Sequence, residues 1–306
     1  MRHRASDSRY GRRGRPSADH RGVRANLYGD RAGTIAQSQS RLMACPRILI
    51  IAGSDSSAGA GIQADLKTVS ALGGYGMTAI TAITAQNTLG VQGVHPASAQ
   101  IVAQQINSCL RDIGADAIKI GMLLNAEIIG AVSKALTDCA APIILDPVMV
   151  ATSGDRLLDA AALEALRQLL PRANVITPNI PEAALLCDMT ISDQETMLRA
   201  AHDLQERCGG AAIVLKGGHL PGETVHDLLL QEGEAFWYDA PRIDSRHTHG
   251  TGCTLASAIA TIGAAGNPLF KAVEQARDYV QRAMIAAPGL GQGHGPLQHF
   301  YDLHAG

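Results

Sequence analysis

From Pro46 onward, short apolar or β-branched runs alternate with segments of helical period, and no other feature of the sequence constrains the fold as tightly. The runs predict strands over 47–52, 77–84, 117–120, 142–146, 173–177 and 211–215. The periodic segments predict helices over 61–72, 98–112, 125–138, 159–170, 181–187, 194–208, 251–264 and 269–286. Repeated strand-then-helix order requires a mostly parallel sheet covered on both faces, an α/β class three-layer α/β/α sandwich. Residues 225–239 (VHDLLLQEGEAFWYD) break that order. They read as a hairpin turning near Glu232-Gly233-Glu234, which predicts one antiparallel edge late in the chain.

With 46% hydrophobic and 18% charged residues among 306, the chain has material for a large core. Disordered, collagen-like and disulfide-scaffold classes are excluded. The net charge of −2 hides a division. Residues 1–42 hold ten Arg and three Asp, whereas residues 43–306 hold 16 basic and 25 acidic residues. The first part lacks hydrophobic periodicity and is expected to be a disordered basic extension. Because the globular pattern opens directly after Met43, translation from Met43 is preferred over a nucleic-acid-binding arm or an organellar import signal. Residues 43–306 show no linker and no internal repeat, so one domain is expected. The six Cys contain no C-x-x-C pair, which points to a reducing compartment, the cytoplasm by default, and away from a zinc module. No apolar stretch reaches the roughly 18–20 residues that a bilayer crossing needs, so no membrane association is expected.

Chemistry-bearing residues gather where predicted strands end, the edge at which open α/β sheets bind ligands. The first strand runs into Gly53-Ser54-Asp55-Ser56-Ser57-Ala58-Gly59-Ala60-Gly61, small residues whose amides can approach a ligand closely. Gly59 to Ala64 fits a G-x-G-x-x-A dinucleotide fingerprint, but no acid follows at the end of the second strand, and the absence of any Gly-Lys dipeptide excludes a Walker A loop. The segment His247-Thr248-His249-Gly250-Thr251-Gly252-Cys253-Thr254 opens an apolar helix. Its unpaired amides and the helix dipole favour an anion there, and Cys253 in the first turn is expected to have a depressed thiol pKa. Asp146 and Glu182, at or just after strand ends, suit magnesium carried with a nucleotide, although each alone also reads as a cap or first-turn charge. Lys216 ends another strand and could meet a phosphate or solvent. Gln86 can offer one donor and one acceptor to a heteroaromatic edge, or serve as a strand-end cap, and Met122 can pack on a flat ring or fill the core.

Taken together, these stretches resemble the ribokinase-like small-molecule kinases of the vitamin-kinase branch, and most closely the hydroxymethylpyrimidine/phosphomethylpyrimidine kinase family. The resemblance is carried, in order, by IAGSDSSAGAGIQADLKT (51–68), TAQNTLGVQ (84–92), KIGML (119–123), LDPVM (145–149), TPNIPEA (177–183), LKGGH (215–219), THGTGCT (248–254) and GHGPLQHF (293–300). It implies a ribokinase-like fold and ATP-dependent phosphorylation of 4-amino-5-hydroxymethyl-2-methylpyrimidine, then of its monophosphate. It further implies that Gly53, Asp65, Gln86, Met122 and Val148 line the pyrimidine pocket. Asp146, Asn179 and Glu182 would organise Mg2+ and phosphates, Lys216, Thr248 and Thr251 would border ATP, and Gly250, Gly252 and Cys253 would form the anion hole. Cys253 stands where the wider superfamily commonly has an Asp base, so a thiolate base, a pocket-lining thiol and a thiol that adds to the aldehyde of pyridoxal all stay open. Pyridoxal is therefore the alternative substrate, and a non-enzymatic vitamin or nucleotide sensor is the rival from another class. By family analogy the partner is a second copy, with neither nucleic acid nor membrane.

Overall fold

In the computed structural model, residues 45–149 and 158–304 are described; the expected extension over 1–42 lies outside them. The sheet starts from five consecutive apolar residues. Ile48 to Ala52 are each at most 1% exposed, because an interior parallel strand buries both faces. Leu49 and Ile51 join one core, while Ile48, Ile50 and Ala52 join the other.

The strands are β1 (Arg47–Asp55), β2 (Tyr75–Asn87), β3 (Gly90–Pro96), β4 (Ala117–Ile120), β5 (Ile143–Leu145), β6 (Val175–Ile176), β7 (Ala212–Leu215), β8 (Thr224–Gln231) and β9 (Glu234–Pro241). They form one sheet in the order β3-β2-β1-β4-β5-β6-β7-β8-β9. From β2 through β7 the neighbours are parallel, and β8 and β9 continue antiparallel, as the hairpin pattern predicts. The opposite edge differs from expectation: β3 pairs antiparallel with β2, making a second hairpin. Its sequence, GVQGVHP, carries two glycines and a proline, and most of it is exposed. With no buried face to impose alternation, the strand left no periodic trace.

The helices are α1 (Gly61–Ala71), α2 (Ala99–Asp112), α3 (Ala126–Ala135), α4 (Ala160–Leu169), α5 (Ile180–Cys187), α6 (Gln194–Arg207), α7 (Thr251–Ala264) and α8 (Leu269–Ile285). Helices α2 to α6 pack their apolar stripes on one sheet face; α1, α7 and α8 cover the other. The three-layer sandwich expected from the sequence is therefore present. Helix α7 buries every residue from Thr254 to Ile262, which makes it a central helix apolar nearly all round.

Strand ends position the site. Ladder pairing stops at Leu145 and Ile176, one residue short of the predicted β5 and β6 ends, so Asp146 and Thr177 leave the sheet at its carboxyl edge. Asn179 then caps α5 in a closed box. Its side chain accepts from the Glu182 amide at 2.8 Å, and Glu182 Oε2 accepts from the Asn179 amide at 2.8 Å.

Candidate active site

The loop after β1 is organised by one carboxylate. Asp55 accepts hydrogen bonds from the amides of Ser57 (2.8 Å), Gly59 (3.1 Å) and Ala60 (2.8 Å) and from the Ser57 hydroxyl (2.8 Å). His249 Nε2 lies 2.8 Å from its Oδ2. Burial works to raise the Asp55 pKa, but the bonds from His249, Ser57 and Ala60 hold it below the usual carboxylate range.

This pair joins the loop to the start of α7. Gly250 caps that helix with φ +83°, and a Cβ there would collide with the Gly59 carbonyl, so only glycine allows the two segments to meet. No side chain caps α7; the Thr251 amide donates to the Thr248 carbonyl at 3.3 Å, which leaves the amides of Gly252 and Cys253 for an anion. Gly252 faces the charged end of the site: a Cβ would sit 3.3 Å from both Asp146 Oδ2 and Lys216 Nζ.

Three charged groups meet there. Asp146 Oδ1 accepts from Lys216 Nζ at 2.8 Å and from the Thr177 hydroxyl at 3.0 Å, while Glu182 Oε2 lies 3.9 Å from the same Nζ. Burial pushes the Glu182 carboxyl up to about 7 against the opposing pull of Lys216. Burial disfavours the Lys216 ammonium, yet Asp146 and Glu182 together hold its pKa above the ordinary value.

One cavity of about 760 Å³ connects these parts. It is lined by Gly53, Gln86, Met122, Val148, Asn179, Lys216, Thr248, Thr251, Gly250, Gly252 and Cys253, and by the acids Asp146 and Glu182. Met122 reaches over Gly53, where a Cβ would collide with its methyl group. Asp65, expected in the pyrimidine pocket, is instead fully buried outside the lining. It pairs with Lys119 Nζ at 2.8 and 2.9 Å and accepts from the Ser257 hydroxyl at 2.7 Å. The buried ammonium 54 positions away claims the carboxylate.

Cys253 also departs from expectation. Burial pushes its thiol up to about 11, and neighbouring Asp65 and Asp146 add to that; Lys119 only partly opposes them. The helix N-terminus loses to desolvation. Asp55, His249 and Lys119 were given no role from sequence. The Asp55 position, followed by small residues whose amides it gathers, was the available signal.

No described helix is long and apolar enough to cross a membrane, and the described residues contain no cluster of three or more His, Cys, Asp or Glu able to hold a metal. A cation here would take most of its ligands from phosphate and water, as magnesium does.

An open cavity that ends in free backbone amides beside an acid pair half-neutralised by Lys216 suits phosphoryl transfer to a small alcohol, and on this sandwich it defines a ribokinase-like small-molecule kinase. Comparison narrows the class. The chain belongs to the phosphomethylpyrimidine kinase family, whose profile matches residues 55–298. A hydroxymethylpyrimidine/phosphomethylpyrimidine kinase of Streptomyces coelicolor is 48% identical over 259 residues, covering 84% of this chain and 96% of that protein. The thiamine biosynthesis bifunctional protein ThiED of Geobacter sulfurreducens is 49% identical over 255 residues, 82% of this chain; the match spans 52% of that longer protein. The solved pyridoxal kinase of Staphylococcus aureus, in complex with AMP-PCP and pyridoxal, aligns with a TM-score of 0.78 at 34% identity over 86% of this chain and 96% of that one.

Proposed function

We propose that this chain transfers the γ-phosphoryl group of ATP to the hydroxymethyl oxygen of 4-amino-5-hydroxymethyl-2-methylpyrimidine, and then phosphorylates the monophosphate, in thiamine biosynthesis. The observation that carries this reading is that Gln86 and the Gly250–Cys253 turn line one cavity, so a ring held by the first can present its alcohol to the second. Such chemistry asks mainly for positioning and charge neutralisation, because the transition state is loose and its charge lies on oxygens.

In this reading Gln86 meets the aminopyrimidine edge, and Gly53, Met122 and Val148 enclose the ring. The amides of Gly250, Gly252 and Cys253 receive the transferring phosphoryl group. Lys216 and Thr248 border ATP with Thr251, and Asn179 holds Glu182 in place through the capping box. Asp146 and Glu182 offer hard oxygen donors fit for Mg2+, half-neutralised by Lys216 and few enough to leave most ligands to phosphate and water. Magnesium carried with ATP supplies charge compensation at the phosphate oxygens. With its thiol pushed up to about 11, Cys253 is protonated at neutral pH and lines the pocket; the alcohol proton leaves late, to an oxygen of the transferred phosphoryl group or to water, after the bond to phosphorus is largely formed. The similarity to a pyridoxal-bound kinase supports pyridoxal as a second substrate. Family analogy supports a cytoplasmic homodimer, and the exposed Ile83, Leu89 and Val94 on the β2–β3 hairpin fit a covered edge.

Coupled ADP release with both substrates tests the reading. Turnover of the pyrimidine is expected, lost with excess chelator and restored by magnesium. Glu182→Gln is expected to lower kcat about tenfold or more with the pyrimidine KM nearly unchanged. A kcat/KM that favours pyridoxal by about tenfold or more overturns the substrate assignment.

A further inference from the structure

Gln86, the penultimate residue of β2, has its side-chain amide held between two groups. One end lies 3.3 Å from His249 Nε2; the other lies 3.1 Å from Thr84 Oγ1. The two ends are alike in shape and opposite in hydrogen-bonding sense, so which one is oxygen sets the polarity with which the cavity meets a ring edge. Thr84 cannot decide, because a hydroxyl donates or accepts.

The decision is made one residue further out. Asp55 is held as a carboxylate by four hydrogen bonds from its own loop, and a carboxylate only accepts. His249 Nε2, 2.8 Å from Asp55 Oδ2, must therefore carry its hydrogen. A hydrogen-bearing nitrogen cannot face an amide NH2 at 3.3 Å without two donors opposing each other. In this structure the Gln86 nitrogen lies toward His249 and its oxygen toward Thr84; exchanging the two ends, which have the same shape, sets the oxygen against His249 and the NH2 against Thr84 and removes the opposed donors. The Thr84 hydrogen goes to the Ser54 carbonyl at 3.0 Å, which leaves a lone pair for that NH2.

We propose that the Asp55–His249 pair is a specificity-determining positioning device: it locks the Gln86 amide so that the cavity accepts a ring edge with an amine donor beside the Gly250 turn and a ring-nitrogen acceptor beside Thr84, and rejects the reversed edge of a 4-oxo pyrimidine. This rests on the pyrimidine-kinase reading and deepens it. The geometry of the substrate agrees. Its amine-bearing carbon is bonded to the carbon that carries the hydroxymethyl group, with the ring nitrogen on the far side. His249 immediately precedes Gly250, so the locked orientation puts the amine on the same side as the alcohol to be phosphorylated. The opposite orientation sets amine against NH2. A 4-oxo ring presents an oxygen where the amine was and an N–H where the ring nitrogen was, and so opposes the locked amide at both positions.

The test is kcat/KM of the full chain for 4-amino-5-hydroxymethyl-2-methylpyrimidine and for its 4-oxo analogue, in wild type, His249→Ala and Asp55→Asn. Wild type is expected to prefer the amino compound by about 10² or more, since a site built to hydrogen-bond one edge leaves buried groups unpaired with the other. Both variants are expected to reduce that ratio by about tenfold or more, because Gln86 is then free to turn. His249→Ala leaves the Asp55 bonds to the loop amides in place, and Asp55→Asn leaves the imidazole in place, so the failure of either variant to fold leaves the other as the test. A merely structural role lowers both activities together and leaves the ratio alone; that result in a folded variant, checked by its melting curve, overturns the inference while the kinase reading stands. A wild type that phosphorylates neither pyrimidine overturns both.

Discussion

Cys253 shows how far a residue's chemistry depends on what surrounds it. Its place in the first turn of α7 argues for an acidic thiol, yet burial and two neighbouring carboxylates push it up to about 11. We expect alkylation of Cys253 by iodoacetamide, followed by peptide mass spectrometry, to be slow at neutral pH and to rise about tenfold per pH unit up to pH ~9, because only thiolate reacts and its fraction grows in that proportion below the pKa. A plateau near neutrality contradicts the raised pKa. Cys253→Ala is expected to retain kcat within about tenfold, whereas loss of a general base typically costs 10² or more. The site was legible where a motif sits on one strand end or helix start: Gln86, Asp146, Lys216 and Gly250 to Cys253 all reach the cavity. Asp65 was not, because its partner Lys119 comes from β4, and a buried ion pair between distant segments leaves no local spacing to read. The role of His249 was hidden for the same reason, its carboxylate partner lying 194 residues away.

At the level of elements, the strands and helices with a buried face matched their periodicity, while β3, with no such face, went unread. A second long-range tie holds the amide-presenting helix. Thr254, in the first turn of α7, hydrogen-bonds to His299 Nε2 at 3.0 Å, and the Tyr279 hydroxyl of α8 donates to the His299 carbonyl at 2.8 Å. Burial, with some help from Lys67, lowers the His299 pKa from 6.5 to about 4. The unfolded chain binds a proton at His299 near 6.5 and the folded chain resists until about 4. Stability from the neutral ring is therefore complete above the first value and is lost as pH falls through that window. Urea unfolding of wild type and His299→Gln at pH values across the window is expected to show the wild type losing roughly 1–3 kcal/mol more than the variant on acidification. Equal losses contradict this account and shift acid sensitivity to groups common to both proteins.

On the scale of the whole molecule, the sequence divides by charge. Residues 1–42 carry a basic excess and residues 43–306 an acidic one. Every residue argued to touch substrate, phosphate or cation lies between Gly53 and Cys253, and both cores are assembled from Ile48 onward. Cys45–Gly306 forms one compact unit, in which the two helix layers close over a sheet whose carboxyl edge carries the cavity. Among the described residues, neither the cavity nor either core draws on anything before Ile48. A chain starting at Met43 is expected to keep kcat/KM for the pyrimidine within about twofold and its melting temperature within about 2 °C, since surface changes away from packed groups stay near ±0.5 kcal/mol. The same preparation should scatter light with the mass of a dimer, because Ile83, Leu89 and Val94 at the β2–β3 edge lie within the retained chain. A large loss of turnover on truncation would place part of the working site in residues 1–42, and a monomer mass would leave that apolar edge without the partner proposed for it.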